Sequence, residues 1–253
     1  MSQVGTTTDS PLGIVSAQLR ILSMRFNEDD LARLGSRHLG YGLLVTWAAG
    51  IGRYWDHPQP YLLQSLGLGS LAVMCGLVLL LYLLLLPLRP ARWSLVHLFT
   101  FISLTAMPAL LYAIPVERFM SLDAARSVNV WFLGAVALWR VLMLGRYLEK
   151  WTDLSGVLLG ASLLLPLALV VVVLTVLNLE QSVFDVMSGL REDGTASDTA
   201  YQYLFLLSAA SLLASPALAL IYGFAVWNRH QQRREAVQHV IANGSVTVRL
   251  NEP

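Results

Sequence analysis

The sequence predicts an all-α membrane protein: six transmembrane helices, an N-terminal interfacial amphipathic helix before them, and a basic tail ending in a short β-hairpin. Three observations carry this fold class. The chain is 253 residues long, 56% hydrophobic and 13% charged, with a mean hydropathy of +0.60; that balance belongs to membrane proteins. Tyr61–Leu86 runs for 26 residues without an ionised side chain, and a helix crosses a ~30 Å hydrocarbon core with roughly 20 apolar residues. Five further apolar stretches are spaced along the chain between polar connections.

Residues 1–10 are polar and rich in Thr, which predicts disorder. Residues 11–38 form a cytoplasmic, interfacial helical segment. Ser10-Pro11 reads as an N-cap followed by proline at the first helical position. Leu12, Val15, Leu19, Leu22 and Phe26 then recur at spacings of three and four, which is one stripe on a helix. Gly13, Ser16, Arg20 and Ser23 lie off that stripe, so the segment is too polar to span and is expected to lie in the interface plane. Asn27 followed by Glu28, Asp29 and Asp30 starts a second helix, with acids where its dipole favours them. That helix is expected to carry Arg33 and Arg37 up to the membrane.

Residues 39–227 hold the six spans. The first, Leu39–Gly52, is short and contains glycine; Tyr54 and Trp55 extend it to the far interface. The second is Tyr61–Leu86, ended by Pro87 and Pro90. The third is Leu95–Ile114 with Pro108 inside, the fourth Val128–Leu144, the fifth Leu154–Leu177 with Pro166 inside, and the sixth Tyr203–Val226. Phe184, Val186, Met187 and Leu190 would make a short amphipathic helix in the connection before the sixth. Residues 228–253 are a basic cytoplasmic tail. Within it Asn243-Gly244, the strongest two-residue hairpin signal, separates Val237–Ala242 from Ser245–Leu250, or else caps the basic helix.

Orientation follows from the basic residues. With a cytoplasmic N-terminus, one side holds Arg20, Arg25, Arg33, Arg37, Arg89, Arg92, Arg146, Lys150, Arg229, Arg233, Arg234 and Arg249. The other holds Arg53, Arg118, Arg126 and Arg191. Twelve against four places both termini in the cytoplasm. A lone lysine among the 17 basic residues, with many Leu and Ala, fits a GC-rich bacterial coding sequence, hence the cell inner membrane. No cleavable signal pattern is visible in Met1–Arg25, so the first span is expected to direct insertion.

The chemistry expected of the chain is sparse. His38, His57, His97, His230 and His239 are scattered without a metal-ligand spacing, and Cys75 stands alone, so neither a metal nor a cofactor is expected. Gly67-Leu-Gly-Ser70 and Gly160-Ala-Ser162 lack the glycine that follows an intramembrane serine nucleophile, and spans four to six contain no histidine. Small residues there are expected to serve close helix packing. Three groups of residues remain as candidates. An outer-face cluster joins Arg53, Tyr54, Trp55, Asp56 and His57 at the first span's exit to Glu117, Arg118, Asp123 and Arg126 between the third and fourth. Arg140 is an ionisable residue inside a span, which flags function by default; its stem can snorkel to the cytoplasmic edge, or contact a polar partner or anionic lipid. Arg229, Arg233 and Arg234 are placed to meet anionic headgroups.

The layout, an interfacial helix, six spans and an outer segment before the sixth, is similar to that of ABC-2-type permease subunits, with no shared motif and with a short Pro87–Trp93 loop where a coupling helix would be needed. The expected function is a non-enzymatic scaffold or accessory subunit of a membrane complex, with membrane lipid and a protein partner or second copy as partners and no nucleic acid. The alternatives are a permease subunit for a lipid-like or apolar substrate working with a separate ATPase, and an interfacial enzyme using Asp56, His57 or Glu117.

Overall fold

The computed structural model describes residues 13–53, 55, 62–88, 90, 92–152, 154–179 and 198–242, and all regular structure among them is helical. Two short helices, α1 (Ile14–Leu22) and α2 (Glu28–Ala32), precede α3 (Ser36–Gly52). The short α4 (Leu62–Ser65) leads into α5 (Leu68–Leu85), which a 3-10 turn extends to Leu88. Then come α6 (Leu95–Leu104), a 3-10 helix at Met107–Ala113, and the long α7 (Leu122–Trp151). The last two are α8 (Gly156–Val176) and α9 (Asp198–Ala242).

Four of these are long and apolar enough to cross a membrane: Leu68–Leu88, Ser127–Trp151, Gly156–Val176 and Leu204–Glu235. The pair Leu95–Leu104 and Met107–Ala113, bent by 41°, makes a fifth if it is one span. The chain is thus an apolar helical bundle with four or five membrane-crossing candidates. The first expected span, α3, has 17 residues, about 25 Å at 1.5 Å each, just under a full hydrocarbon core.

The two irregularities have local causes. Gly67, between α4 and α5, adopts φ +67°, where a side chain is strained; a Cβ there would also stand 2.8 Å from the Trp47 carbonyl oxygen. Trp47 Nε1 in turn donates to the Leu66 carbonyl at 2.8 Å, fastening the turn to α3. After α6, Pro108 has no N–H to give the Leu104 carbonyl four residues back, so the α-helix ends at Leu104 and the backbone tightens into 3-10 geometry.

The elements run up and down. The ends of α3 and the 3-10 helix meet beside Trp55, whose Nε1 donates to the Ala113 carbonyl at 2.9 Å. The opposite end gathers α2, α6 and α7. There His97 contacts the Tyr147 hydroxyl and the Leu31 carbonyl, both at 2.9 Å, and stacks on Trp151 at 4.2 Å. Since the Leu31 oxygen only accepts, Nε2 carries the proton and Nδ1 accepts from Tyr147. The largest apolar core lies toward this Trp151 end, built around Leu81, Leu85, Leu98, Phe101 and Tyr147.

Several expectations change. Asn27 caps α2 as read from sequence, in a reciprocal box with Asp30 (2.8 and 3.2 Å). That helix stops at Ala32, however, and does not carry Arg33 and Arg37 onward. A new one begins at Ser36, where the His38 ring accepts the Gly35 N–H at 3.1 Å. In α1 the buried side is Ala17, Gln18 and Ile21, whereas Val15 and Leu19 of the apolar stripe point outward. Leu12 lies outside the described residues. The basic helix runs on through Ala242, so Val237–Ala242, read as one hairpin strand, is helical. Ser245–Leu250 and the amphipathic stretch Phe184–Leu190 lie outside the described residues.

Candidate functional site: an arginine-lined cavity

Between α3, α5, the 3-10 helix and α7, toward the Trp55 end, lies a cavity of about 230 Å³. Small side chains leave it open: Ala49 and Gly50 from α3, Gly69 and Ser70 from α5, Ala106 and Ala109 from the bent segment, and Ala137 from α7. Val73, Met74, Leu77, Leu133 and Val136 supply an apolar wall. Leu63 and Val73 on its rim are 63% and 66% exposed, so the space communicates with the surface of the bundle.

Three ionisable side chains also line this apolar space, and they come from three different elements. Arg53 follows the last turn of α3, Tyr112 sits four residues beyond Pro108, and Arg140 lies in the middle of α7. The Arg53 guanidinium is 4.5 Å from the centre of the Tyr112 ring, a cation–π contact. Its Nε is buried with no hydrogen-bond partner. Arg140 Nε reaches Thr105 Oγ1 at 3.4 Å, the long limit of a hydrogen bond. Both arginines are electrostatic neighbours of the Tyr112 hydroxyl and of each other. Among the described residues no carboxylate pairs with either one.

Two cations face an apolar cavity, then, with a phenol, Thr46 and Ser70 as the other polar groups. Removing such charges from water is costly unless an opposite charge compensates them, and the unsatisfied Arg53 Nε adds to that cost. The lining thus sets two cationic groups beside an apolar wall. The chain matches no protein-family model, no curated protein and no solved structure.

The residues singled out from sequence fall into distinct places. Trp55 and Arg118 do meet, the guanidinium 5.0 Å from the indole ring, so the chain just after α3 contacts the connection before α7. Arg53 turns inward to the cavity instead of joining them. Tyr54, Asp56 and His57 lie outside the described residues. Glu117 is in the 3-10 turn Val116–Arg118, and Asp123 and Arg126 are in the first turns of α7; their side chains are likewise outside the described set. Arg140 lines the cavity shared with Arg53 and contacts Thr105, where a stem snorkelling to the cytoplasmic edge was the first expectation. Arg229 Nη1 donates to the Leu88 carbonyl at 3.1 Å, closing the end of the α5 segment, while Arg233 and Arg234 are exposed along α9. Among the described residues no three His, Cys, Asp or Glu side chains come together as a metal site.

Sequence reasoning missed Tyr112 and Thr105. The available signal was Pro108: a proline within a span bends it, and residues on both sides of the bend turn toward the space it opens.

Proposed function

We propose that this chain is a non-enzymatic integral subunit of the cell inner membrane that binds an anionic amphiphile, with the charged headgroup between Arg53 and Arg140 and its apolar part against Val73, Leu77 and Leu133. One observation carries the reading: two arginines, neither paired with a carboxylate among the described residues, share an apolar cavity that opens on the side of the bundle. In this reading α3 is the first of six spans, both termini are cytoplasmic, and the Trp55 end is the outer one, in line with the distribution of Arg and Lys.

The test is native mass spectrometry of the protein released from nanodiscs holding equal amounts of an anionic and a zwitterionic lipid of the same chains. The wild type should retain the anionic lipid. Arg53→Gln and Arg140→Gln should each weaken retention roughly 10- to 100-fold, the scale of one lost charge-assisted hydrogen bond. Equal retention of both lipids by the wild type overturns the proposal.

The second reading is a permease subunit for such an amphiphile. The broken third span beside the cavity favours it, because discontinuous helices commonly line transport sites. An ATPase co-purifying in fixed ratio would support it. An interfacial enzyme would lose its activity in His57→Ala while inserting normally.

A further inference from the structure

The position of α1 within the bundle is unlike that of a helix lying on a surface. Gln18, 2% exposed, donates from Nε2 to the Leu104 carbonyl at 2.9 Å. This is the carbonyl that Pro108 leaves without its helical donor. Leu104 is nine residues past Leu95, about 13 Å along α6. Trp139, whose Nε1 donates to the Leu22 carbonyl at 3.0 Å, is twelve residues before Trp151, about 18 Å along α7. The neighbouring levels agree. Gly42 packs on Ser103, and Thr46 Oγ1 reaches Met74 Sδ at 3.5 Å, which sets Leu104 beside the middle of the charge-free α5.

A helix bonded at that level cannot be in the interface plane if α5 crosses the membrane. Its exposed apolar residues, Val15 at 68% and Leu19 at 59%, then face hydrocarbon and not water. Its one charge is paired: Arg20 Nη1 is 2.6 Å from Asp30 Oδ1, the Arg20 side chain being 49% and the Asp30 side chain 7% exposed. Paired in this way, the charge can be carried to a low-dielectric depth. The return path is packed too, with Phe26 edge-on to Phe101 at 5.7 Å and Leu31 bonded to His97.

We infer that α1 is a re-entrant helix. It enters from the Trp151 side, docks through Gln18 at the proline break of the third span, and presents Val15 and Leu19 to the acyl chains of lipid in the leaflet on that side. One residue beyond that docking point, Thr105 holds Arg140, so α1 also braces the floor of the cavity. The inference rests on the membrane reading of α5 and is independent of what the cavity binds.

Spin labels on the full chain in lipid vesicles test it, in a Cys75→Ala background. Leu19→Cys is the test site, with Val15→Cys as its duplicate, Leu79→Cys on the outer surface of α5 as the hydrocarbon reference and Arg37→Cys as the water reference. The Leu19 and Val15 labels should match Leu79, with collisions with oxygen exceeding those with an aqueous nickel chelate. Labels matching Arg37, or sitting at headgroup depth, overturn the re-entrant placement. A Leu79 label open to the chelate overturns both this inference and the membrane reading beneath it. Loss of anion retention in the cavity with unchanged label depth would leave α1 re-entrant and sink only the proposed function.

Discussion

Gly42 lies where α3 crosses α6. A Cβ added there would overlap Ser103 Oγ and stand 2.9 Å from the Ser103 carbonyl carbon, which is backbone and cannot turn aside. Two residues earlier, Gly40 has nothing within 4 Å of its added Cβ. Gly42→Ala should therefore destabilise the bundle by about 1–3 kcal/mol through overpacking. Gly40→Ala should be neutral or slightly stabilising, since alanine is the better helix former. Unfolding of the two variants in mixed micelles separates them, and equal effects would mean that α3 and α6 are not in close contact. Arg140 is a different kind of residue, which in the proposed function binds a ligand and does not hold the bundle together. Its polar contact with Thr105 is a long one, and removing a charge from a span makes insertion easier. Arg140→Leu should reach the membrane at wild-type yield and lose its preference for anionic lipid. A failure to insert would reveal a required structural partner.

Among the elements, the bend at Pro108 and α1 depend on each other. Pro108 removes a donor from Leu104, and Gln18 supplies one. In a double-mutant cycle, Gln18→Leu should cost about 1–3 kcal/mol in the wild type, the penalty for a buried carbonyl left without a partner. In a Pro108→Ala background the cost should shrink, because the backbone N–H of residue 108 can then serve the same oxygen. Additive effects would show that the two groups do not compensate each other. The α2–α6–α7 junction is similarly specified by one side chain. His97 satisfies the Leu31 carbonyl and Tyr147 hydroxyl together, so His97→Phe keeps the stacking on Trp151 but strands two polar groups. A loss of stability larger than that of Tyr147→Phe is expected in the same unfolding assay.

For the molecule as a whole, the question is how many times the chain crosses. Reporter fusions that are active on one side of the membrane should place the positions before Met1 and after Pro253 on the same side, and an insertion after Trp55 on the other. A Trp55 fusion on the same side as the N-terminus would mean that α3 does not cross. The α9 helix packs chiefly on α8, held by the Thr175–Ser208 hydroxyl bond at 3.0 Å and, further along, by Tyr222 donating to the Leu84 carbonyl. From His230 to Glu235 its residues are exposed. Truncation after Glu235 should leave bundle stability unchanged. If the exposed basic turns seek a partner, loss of a co-purifying subunit is the sign of it.

Much of this was legible in the sequence because it depends on composition and local rules. Charge-free length gives apolar helices, proline gives the break after α6, and Asn27 with three acids gives a capped helix. Arg53 and Arg140 could each be picked out alone, as charges near or within apolar segments, but not as a pair. They are 87 residues apart, and only the bend at Pro108, which swings Tyr112 between them, brings them to one cavity. The depth of α1 was hidden for the same reason. A stripe at helical spacing says that a helix has an apolar side, yet not whether protein or lipid covers it; the carbonyl freed at Leu104 decides that Gln18 faces in and Val15 and Leu19 face out. The tail misled because Val237–Ala242 has β-prone residues, while a helix already running from Asp198 needs no new nucleus to continue through them. The sequence by itself determined which segments are helical and apolar, since those follow from neighbours a few residues away. The tertiary structure alone decided which polar groups share the interior, because contacts between distant residues depend on how helices bend and cross.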